Sequence, residues 1–521
     1  MEQEVNRRQF LSGVGLLAAM GATGALAACS PAQSNDYTSQ TDDAPTAQTE
    51  QQQIDTSTIV ETRTCDILIV GAGGSGLAAA VQASDLGAQV ICIESQSVVG
   101  GNLNGVEGCF GIGSSMQKEQ GIVIDPGSTI RAELAASQFR ASGLGYVDMV
   151  HASGENIDWL IEKGVQFEGV DVDKGDILVF HRFGNRGMKD YVEPMAATAQ
   201  TNGVELLMET KGEKLIQDAD GTVIGAYAST ANGMIQIDAK AVILATGGYA
   251  DNDTFMDELG IPKDKRRISG MPGHDGSGHI MATEIGAVSN RSNASILGAF
   301  FVEGTPGYYD NGRFAFLIGV AAPYAIWVNE YGERFVNEDF TAENIMLMSI
   351  PGRLTKDYFI IMDAAMMDIY LNGEAEGYQQ LDDAIAAKSI VKSDTISDLC
   401  RELGMDTDTF AQTIERYNGF VDAGSDGDFG KSTNVLMPLG TGPFYAIKTL
   451  IEIPTTIGSI KTDRSFRAVD KNDQPLDGLY VVGTEGAMLW ANVYTINISG
   501  SCNANNVNSG RMAARDAAAK L

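Results

Sequence analysis

Between Cys65 and Glu94 the chain reads as an apolar run, a glycine-rich turn, a small-residue stretch and a second apolar run ending in an acid. Few folds accept that order. Cys65-Asp66-Ile67-Leu68-Ile69-Val70 is expected as a buried parallel strand. It leads into Gly71-Ala72-Gly73-Gly74-Ser75-Gly76 and then a helical stretch from Leu77 to Leu86. The glycines have separate roles. Gly71 permits the tight turn, Gly73 lets backbone amides approach a diphosphate, and Gly76 lets helix and strand pack closely, while the helix N-terminus faces the phosphates. A second strand, Gln89 to Ile93, ends in Glu94, at the distance where an acid accepts hydrogen bonds from ribose hydroxyls. The segment predicts the first half of a dinucleotide-binding α/β domain.

Gly100-Gly101-Asn102 follows shortly after Glu94, and small residues there let backbone pass close to a bulky ring system and a diphosphate. This favours FAD over a nicotinamide. Ala241-Val242-Ile243-Leu244-Ala245-Thr246-Gly247-Gly248 is another strand ending in glycines, and Gly478-Leu479-Tyr480-Val481-Val482-Gly483 is a third. Three such strands belong to one domain, discontinuous in sequence. A second complete G-x-G-x-x-G segment is lacking, so a built-in NAD(P)H site is not expected.

At 521 residues the chain exceeds what one hydrophobic core usually supports, so at least two domains are expected. A formal charge of −32 makes nucleic acid a poor partner, because no basic block offsets it. The six cysteines are scattered without a C-x-x-C pair, which argues against zinc, iron–sulfur and covalent haem sites, and no metal is expected. Arg7 and Arg8 precede an apolar run from Val14 to Ala28, the pattern of a twin-arginine export signal. Leu26-Ala27-Ala28-Cys29 resembles a lipoprotein processing site, with Cys29 as the lipid anchor; simple cleavage after a small residue is the alternative. Residues 30–62, rich in Ser, Thr, Gln and Asp, read as a flexible linker. The expected location is therefore extracytoplasmic and membrane-anchored.

Asp66 to Asn102, Ala245 to Gly248, Gly332-Glu333-Arg334-Phe335-Val336-Asn337-Glu338 and Gly478 to Gly483 together resemble the soluble fumarate-reductase flavoprotein family, which includes urocanate reductases and ketosteroid dehydrogenases. The resemblance covers roughly residues 63–521. It implies noncovalently held FAD and an α/β fold: a Rossmann-like FAD-binding domain of 63–292 plus 456–521, with an inserted α+β capping domain of 293–455. Substrate would lie between cap and isoalloxazine ring. Cofactor contacts are expected from Gly71, Gly73, Gly74, Gly76, Glu94, Ser95, Gly101, Asn102, Ala245, Thr246, Gly247, Ser277, Gly483, Glu485, Ser501, Cys502 and Asn503. Ser277, within Asp275-Gly276-Ser277-Gly278, takes the place of the aspartate in the family's G-D-G turn.

The chain departs from this family at the positions that hold dicarboxylates. The resemblance puts Ala342 where the proton-donating arginine stands, Asn497 where a second arginine clamps a carboxylate, and Thr455 where a histidine precedes the T-x-G-G turn. Such charge-assisted hydrogen bonds are worth roughly 1.5–3 kcal/mol each, so fumarate itself is disfavoured. The catalytic candidates are Tyr494, Asn497, Arg334 and Thr455, with Tyr308, Tyr309 and Tyr331 as further cleft tyrosines. Tyrosine can donate a proton as a general acid. Arg334 also reads as a residue that orders the cap through Asn337 and Glu338, and tyrosines are often half-buried packing residues. The basic loop His181 to Gly187 reads either as an anion contact or as ordinary surface.

The expected activity is reduction of an activated C=C bond, with hydride from flavin N5 and a proton from an enzyme acid. Electrons would come from a membrane-associated cytochrome or quinol-linked donor, in anaerobic respiration on a small unsaturated acceptor. Two alternatives stand beside it. One is a 3-ketosteroid-type dehydrogenase that forms a C=C bond. The other is a non-catalytic flavin-binding lipoprotein.

Overall fold

Ile67, Leu68 and Ile69 have no exposed surface and Val70 is 3% exposed, the burial on both faces that a central parallel strand requires. The structure, a computed structural model, describes residues 54–173, 178–293, 295–307, 321–339, 354–486, 489–490, 492, 494–495 and 498–521. The first strand spans Ile59–Val70 and so begins ahead of Cys65. Its extension pairs with an equally extended strand, Gly233–Leu244, with Ile59 opposite Met234 and Val70 opposite Leu244. The expected linker therefore stops short of residue 62, because Thr56–Thr58 form a 3-10 turn capped by Asp55.

Five parallel strands lie side by side in the order Glu205–Leu207, Val90–Ile93, Ile59–Val70, Gly233–Leu244, Pro475–Val481. In chain order this is the 3-2-1-4-5 arrangement of a dinucleotide-binding sheet. Arg467–Val469 adds an antiparallel edge. The long fourth strand forks. Its first half pairs with antiparallel Val223–Thr230, itself paired with Lys211–Gln217, and its last residues pair with Leu479–Val481.

Helices Gly74–Asp85 and Ser501–Ala518 pack together on one face of this sheet, through Leu77, Ala78, Val507 and Ala513 among others. They approach closely because Gly510 has no side chain: a Cβ there would overlap the carbonyl of Ser75. The other face is closed by Met281, Ala282, Ile460 and the strand residues Leu68 and Val242.

A second core gathers Trp327, Ile360, Met362, Leu381, Leu399, Phe410 and Ile447. It belongs to a four-stranded antiparallel sheet in the order Ile326–Asn329, Tyr358–Asp363, Phe444–Ile447, Ile390–Ser393, with helices including Ala375–Ala386, Ile396–Leu403 and Thr407–Ala423. The architecture is a Rossmann-like domain with an inserted α+β cap. Between the two, Leu450–Ile457 is the middle strand of a three-stranded sheet, parallel to Arg266–Ile268 and antiparallel to Ser295–Phe301. That strand runs across residue 455 and delivers Pro454 and Thr455 to the site. Among the described residues no helix is long and apolar enough to cross a membrane.

Candidate active site

In a 3-2-1-4-5 sheet a crevice opens at the carboxyl ends of strands 1 and 4, where the strand order reverses. A cavity of about 630 Å³ lies there, lined by Val70, Gly71, Glu94, Ala245 and Thr246 among others. Gly71 has φ +105°, and a Cβ there would stand 2.5 Å from the carbonyl oxygen of Ala245. Only glycine turns the chain this sharply against its neighbour. At Gly73 a Cβ would meet only Gly100 O, at 3.9 Å, so the missing side chain leaves room on the cavity side.

Three helices begin at the cavity: Gly74–Asp85, Ser277–Glu284 and Ser501–Ala518. Their N-caps are Gly73, Gly276 and Gly500, and none carries a side-chain cap. Elsewhere Ser114, Asp125, Ser142, Asn252, Asp363, Thr395 and Asp406 cap their helices with a side-chain oxygen. At the Ser277–Glu284 helix the Ser277 N–H donates to Asp275 Oδ1 at 2.9 Å, so it is the N-termini at Gly74 and Ser501 that leave N–H donors and positive helix-dipole ends for a bound anion such as a diphosphate. Ser269 Oγ and Asn503 Oδ1 are buried, lack a partner among the described residues, and belong to residues that line the cavity. Both call for ligand atoms.

Glu94 is held by its own turn: Oε2 accepts the Ala72 N–H at 2.9 Å, and Oε1 accepts the Gln96 N–H at 2.9 Å and the Ser95 hydroxyl at 3.2 Å. This fixes the carboxylate at the end of the second strand, with lone pairs left for ribose hydroxyls. The residues present fit FAD. Gly73, Gly74, Cys502 and Asn503 would hold its diphosphate region, and Glu94 with Ser95 its ribose.

Of the residues expected at the cofactor, Gly71, Gly73, Gly74, Glu94, Ser95, Gly101, Asn102, Ala245, Thr246, Gly247, Ser277, Cys502 and Asn503 line the cavity. Gly76, Gly483, Glu485 and Ser501 do not. A Cβ on Gly76 would collide with Gly71 O, and one on Gly483 with Ser75 Oγ, so both glycines permit close packing behind the wall. Ser501 is fully buried, 3.4 Å from the Tyr494 hydroxyl. Glu485 is fully buried and binds Thr246 from behind, at 2.9 Å. Asn102 lines the cavity with its amide committed to protein: it donates to Pro454 O at 2.7 Å and accepts from Met271 N at 2.7 Å, tying three segments together.

Of the catalytic candidates, Tyr494 and Thr455 line the cavity. The Tyr494 ring meets Trp490 edge-on at 4.9 Å, and burial holds its hydroxyl far above the ordinary tyrosine range, so it keeps its proton at neutral pH. Asn497 lies outside the described residues, as do Tyr308, Tyr309 and Ala342. Arg334 belongs elsewhere. It is a cap residue, paired with Glu338 at 2.8 Å and Asp426 at 3.0 Å and lying over the rings of Tyr417 and Phe429. Its guanidinium is spent on two buried carboxylates, so the catalytic expectation for it is replaced by a structural one. Tyr331 is 62% exposed and does not line the cavity.

Several lining residues carry no motif that marks them in the sequence. Thr210 and Lys211 follow the short third strand, and Lys211 pairs with Asp275 at 2.7 Å. Residues just past the end of any parallel strand face the crevice, which was the available signal. His274 packs against Gly247, where a Cβ would collide with its ring. Burial lowers its pKa, and Asp251, Glu94 and Asp275 oppose that shift. Arg186, in the basic loop, lines the cavity at φ +65° and pairs with Glu107 at 3.6 Å. Burial pushes the Cys502 thiol up to about 12, making it a neutral wall residue.

A dinucleotide-binding sheet, converging glycine-capped helices and an inserted cap define an FAD-dependent oxidoreductase. Residues 66–493 match the FAD binding domain family. The chain belongs to it, within the soluble fumarate-reductase-like flavoproteins, and acts on carbon–carbon single or double bonds. It is 30% identical over 476 residues to vinyl phenol reductase of Lactiplantibacillus plantarum, spanning 87% of this chain and 96% of that one. With fumarate reductase (cytochrome) of Shewanella frigidimarina it shares 29% identity over 463 residues, 87% of this chain and 77% of that one. The fold is shared with 3-ketosteroid-Δ4-(5α)-dehydrogenase from Rhodococcus jostii RHA1, at TM-score 0.68, 23% identity and coverage of 89% and 99%.

Proposed function

We propose that this enzyme reduces an uncharged C=C bond conjugated to an aryl or carbonyl group, and that fumarate is a poor substrate. One observation carries the reading. Each Lys or Arg lining the cavity among the described residues is already paired with an acid, Lys211 with Asp275 and Arg186 with Glu107, so none stands ready to clamp a dicarboxylate. The name of the Lactiplantibacillus relative, a vinyl phenol reductase, points to the same class of alkene.

When bound, FAD supplies the hydride from its N5. The chain supplies the rest. Tyr494, protonated at neutral pH, donates the proton to the neighbouring carbon from its hydroxyl. Ser501 Oγ, 3.4 Å away, keeps that hydroxyl oriented. Thr455, Pro454 and Phe180 form the adjoining wall, which orients the alkene and limits water.

Export by the twin-arginine route on Arg7 and Arg8, anchoring at Cys29, and electron supply from a membrane-associated donor belong to the same proposal; the residue pattern of the N-terminus supports them. The test of the substrate class is steady-state turnover with a reduced viologen dye. The expected kcat/KM for a vinyl phenol, cinnamate ester or enone exceeds that for fumarate by at least about a hundredfold, as loss of two clamping hydrogen bonds implies. Comparable turnover of fumarate would overturn the proposal.

A further inference from the structure

Glu485 is a fully buried carboxyl one wall away from the cofactor cavity. Its Oε2 accepts from Thr246 Oγ1 at 2.9 Å and its Oε1 accepts from Ser459 Oγ. Thr246 and the preceding residue Thr484 both line the cavity. A single residue, Thr246, thus separates the carboxyl from the cavity.

No cation balances it among the described residues. His279, whose ring is buried beside the backbone of Ser459, is held neutral, with its pKa lowered to about 4 by burial and by Arg291. Tyr249 is neutral because burial raises its hydroxyl. Asp275, on the turn before the Ser277–Glu284 helix, adds negative charge and is paired with Lys211. Lys461, two residues past Ser459, is paired with Asp473. A buried carboxylate with two neutral donors and no cation is poised to change its protonation when nearby charge changes.

We propose that Glu485 takes up one solvent proton as two electrons enter the FAD of the neighbouring cavity, and releases it when they leave. Two-electron reduction by a donor consumes one proton at the flavin itself; the additional proton forms an O–H bond on the Glu485 carboxylate, so charge balances at two electrons and two protons. The added negative charge beyond Thr246 raises the proton affinity of the carboxylate, and by linkage a proton on Glu485 favours the reduced state. Before any electrons arrive, burial already lifts this group to about 7, the hydroxyls of Ser459 and Thr246 opposing, so it is part-ionised at neutral pH. Glu485 acts through Thr246 and is a positioning residue for charge; it is not a catalytic one.

The test is the midpoint potential of the full-length, FAD-loaded protein against pH, measured by dye equilibration without substrate. Its outcome is therefore independent of which alkene the enzyme reduces. For a two-electron couple each proton taken up contributes about 30 mV per pH unit. The wild-type slope should steepen from about 30 to about 59 mV per pH unit on rising through neutral pH. E485Q should hold the shallow slope throughout. If E485Q fails to load FAD, T246V serves, because removing a donor to the ionised carboxylate moves the break to higher pH. A wild-type slope of one proton per two electrons across neutral pH would overturn the proposal, as would an FAD-loaded E485Q that keeps the steep limb.

Discussion

Gly73 and Gly76 stand three residues apart in the same turn, and the structure gives them different duties. Gly76→Ala would drive a Cβ into Gly71 O, a backbone atom that cannot move aside, so a loss on the order of a few kcal/mol is expected. Gly73→Ala has space within the protein but intrudes where a diphosphate would approach. It should melt within a few degrees of wild type as apoprotein yet retain much less flavin through gel filtration. Equal flavin retention would argue against the site. Tyr494→Phe should keep its FAD and lose roughly 10²–10⁴ in turnover, the usual worth of a general acid; unchanged turnover would move the proton to another group. These glycine roles were legible in the sequence because spacing alone sets backbone geometry. The commitment of Arg334 to Glu338 and Asp426 was half legible: Glu338 lies four residues on, but Asp426 is brought in only by the cap's tertiary fold.

The elements show why some boundaries could be read and others could not. Val90–Ile93 and the apolar end of Ile59–Val70 are short buried runs bounded by glycine and acid, and they fall where the pattern puts them. Ile59 to Thr64 is mostly polar and mostly exposed, without a period-2 pattern, and becomes strand only because Gly233–Asp238 lies alongside it. That partner is some 170 residues away, beyond any local signal. The glycine N-caps of three helices were likewise legible as glycines, though their convergence on one space depends on the strand order. In the cap, the buried Arg334 offers a test of how its elements are tied. Arg334→Ala takes the guanidinium from Asp426 and leaves Glu338 with Lys431 at 3.6 Å, both carboxylates having side chains without exposed surface, and should cost about 3 kcal/mol in denaturant unfolding. The cavity does not include Arg334, so flavin content below the transition should be unchanged. A small loss of stability would mean that the network is weaker than its burial implies.

For the whole molecule, the net charge of −32 and the paired cations of the cavity point the same way. A dianionic substrate would meet a negative protein in which, among the described residues, each cation lining the cavity is already paired, whereas a neutral conjugated alkene needs only a shaped wall and a proton donor. The family and fold were legible because glycine turns, strand ends and their order are local and strict. The substrate wall was less so, because Pro454, Thr455, Phe180 and Tyr494 come from distant segments and carry no shared motif. Both the substrate class and the direction of the reaction are decided by mixing anaerobically pre-reduced, FAD-loaded protein with a neutral aryl alkene or enone in a single turnover. Rapid return of the oxidised-flavin absorbance is expected, with one equivalent of saturated product per flavin. A flavin that stays reduced with every alkene, while the oxidised protein is bleached by a saturated ketone, would contradict this and reverse the direction of the reaction.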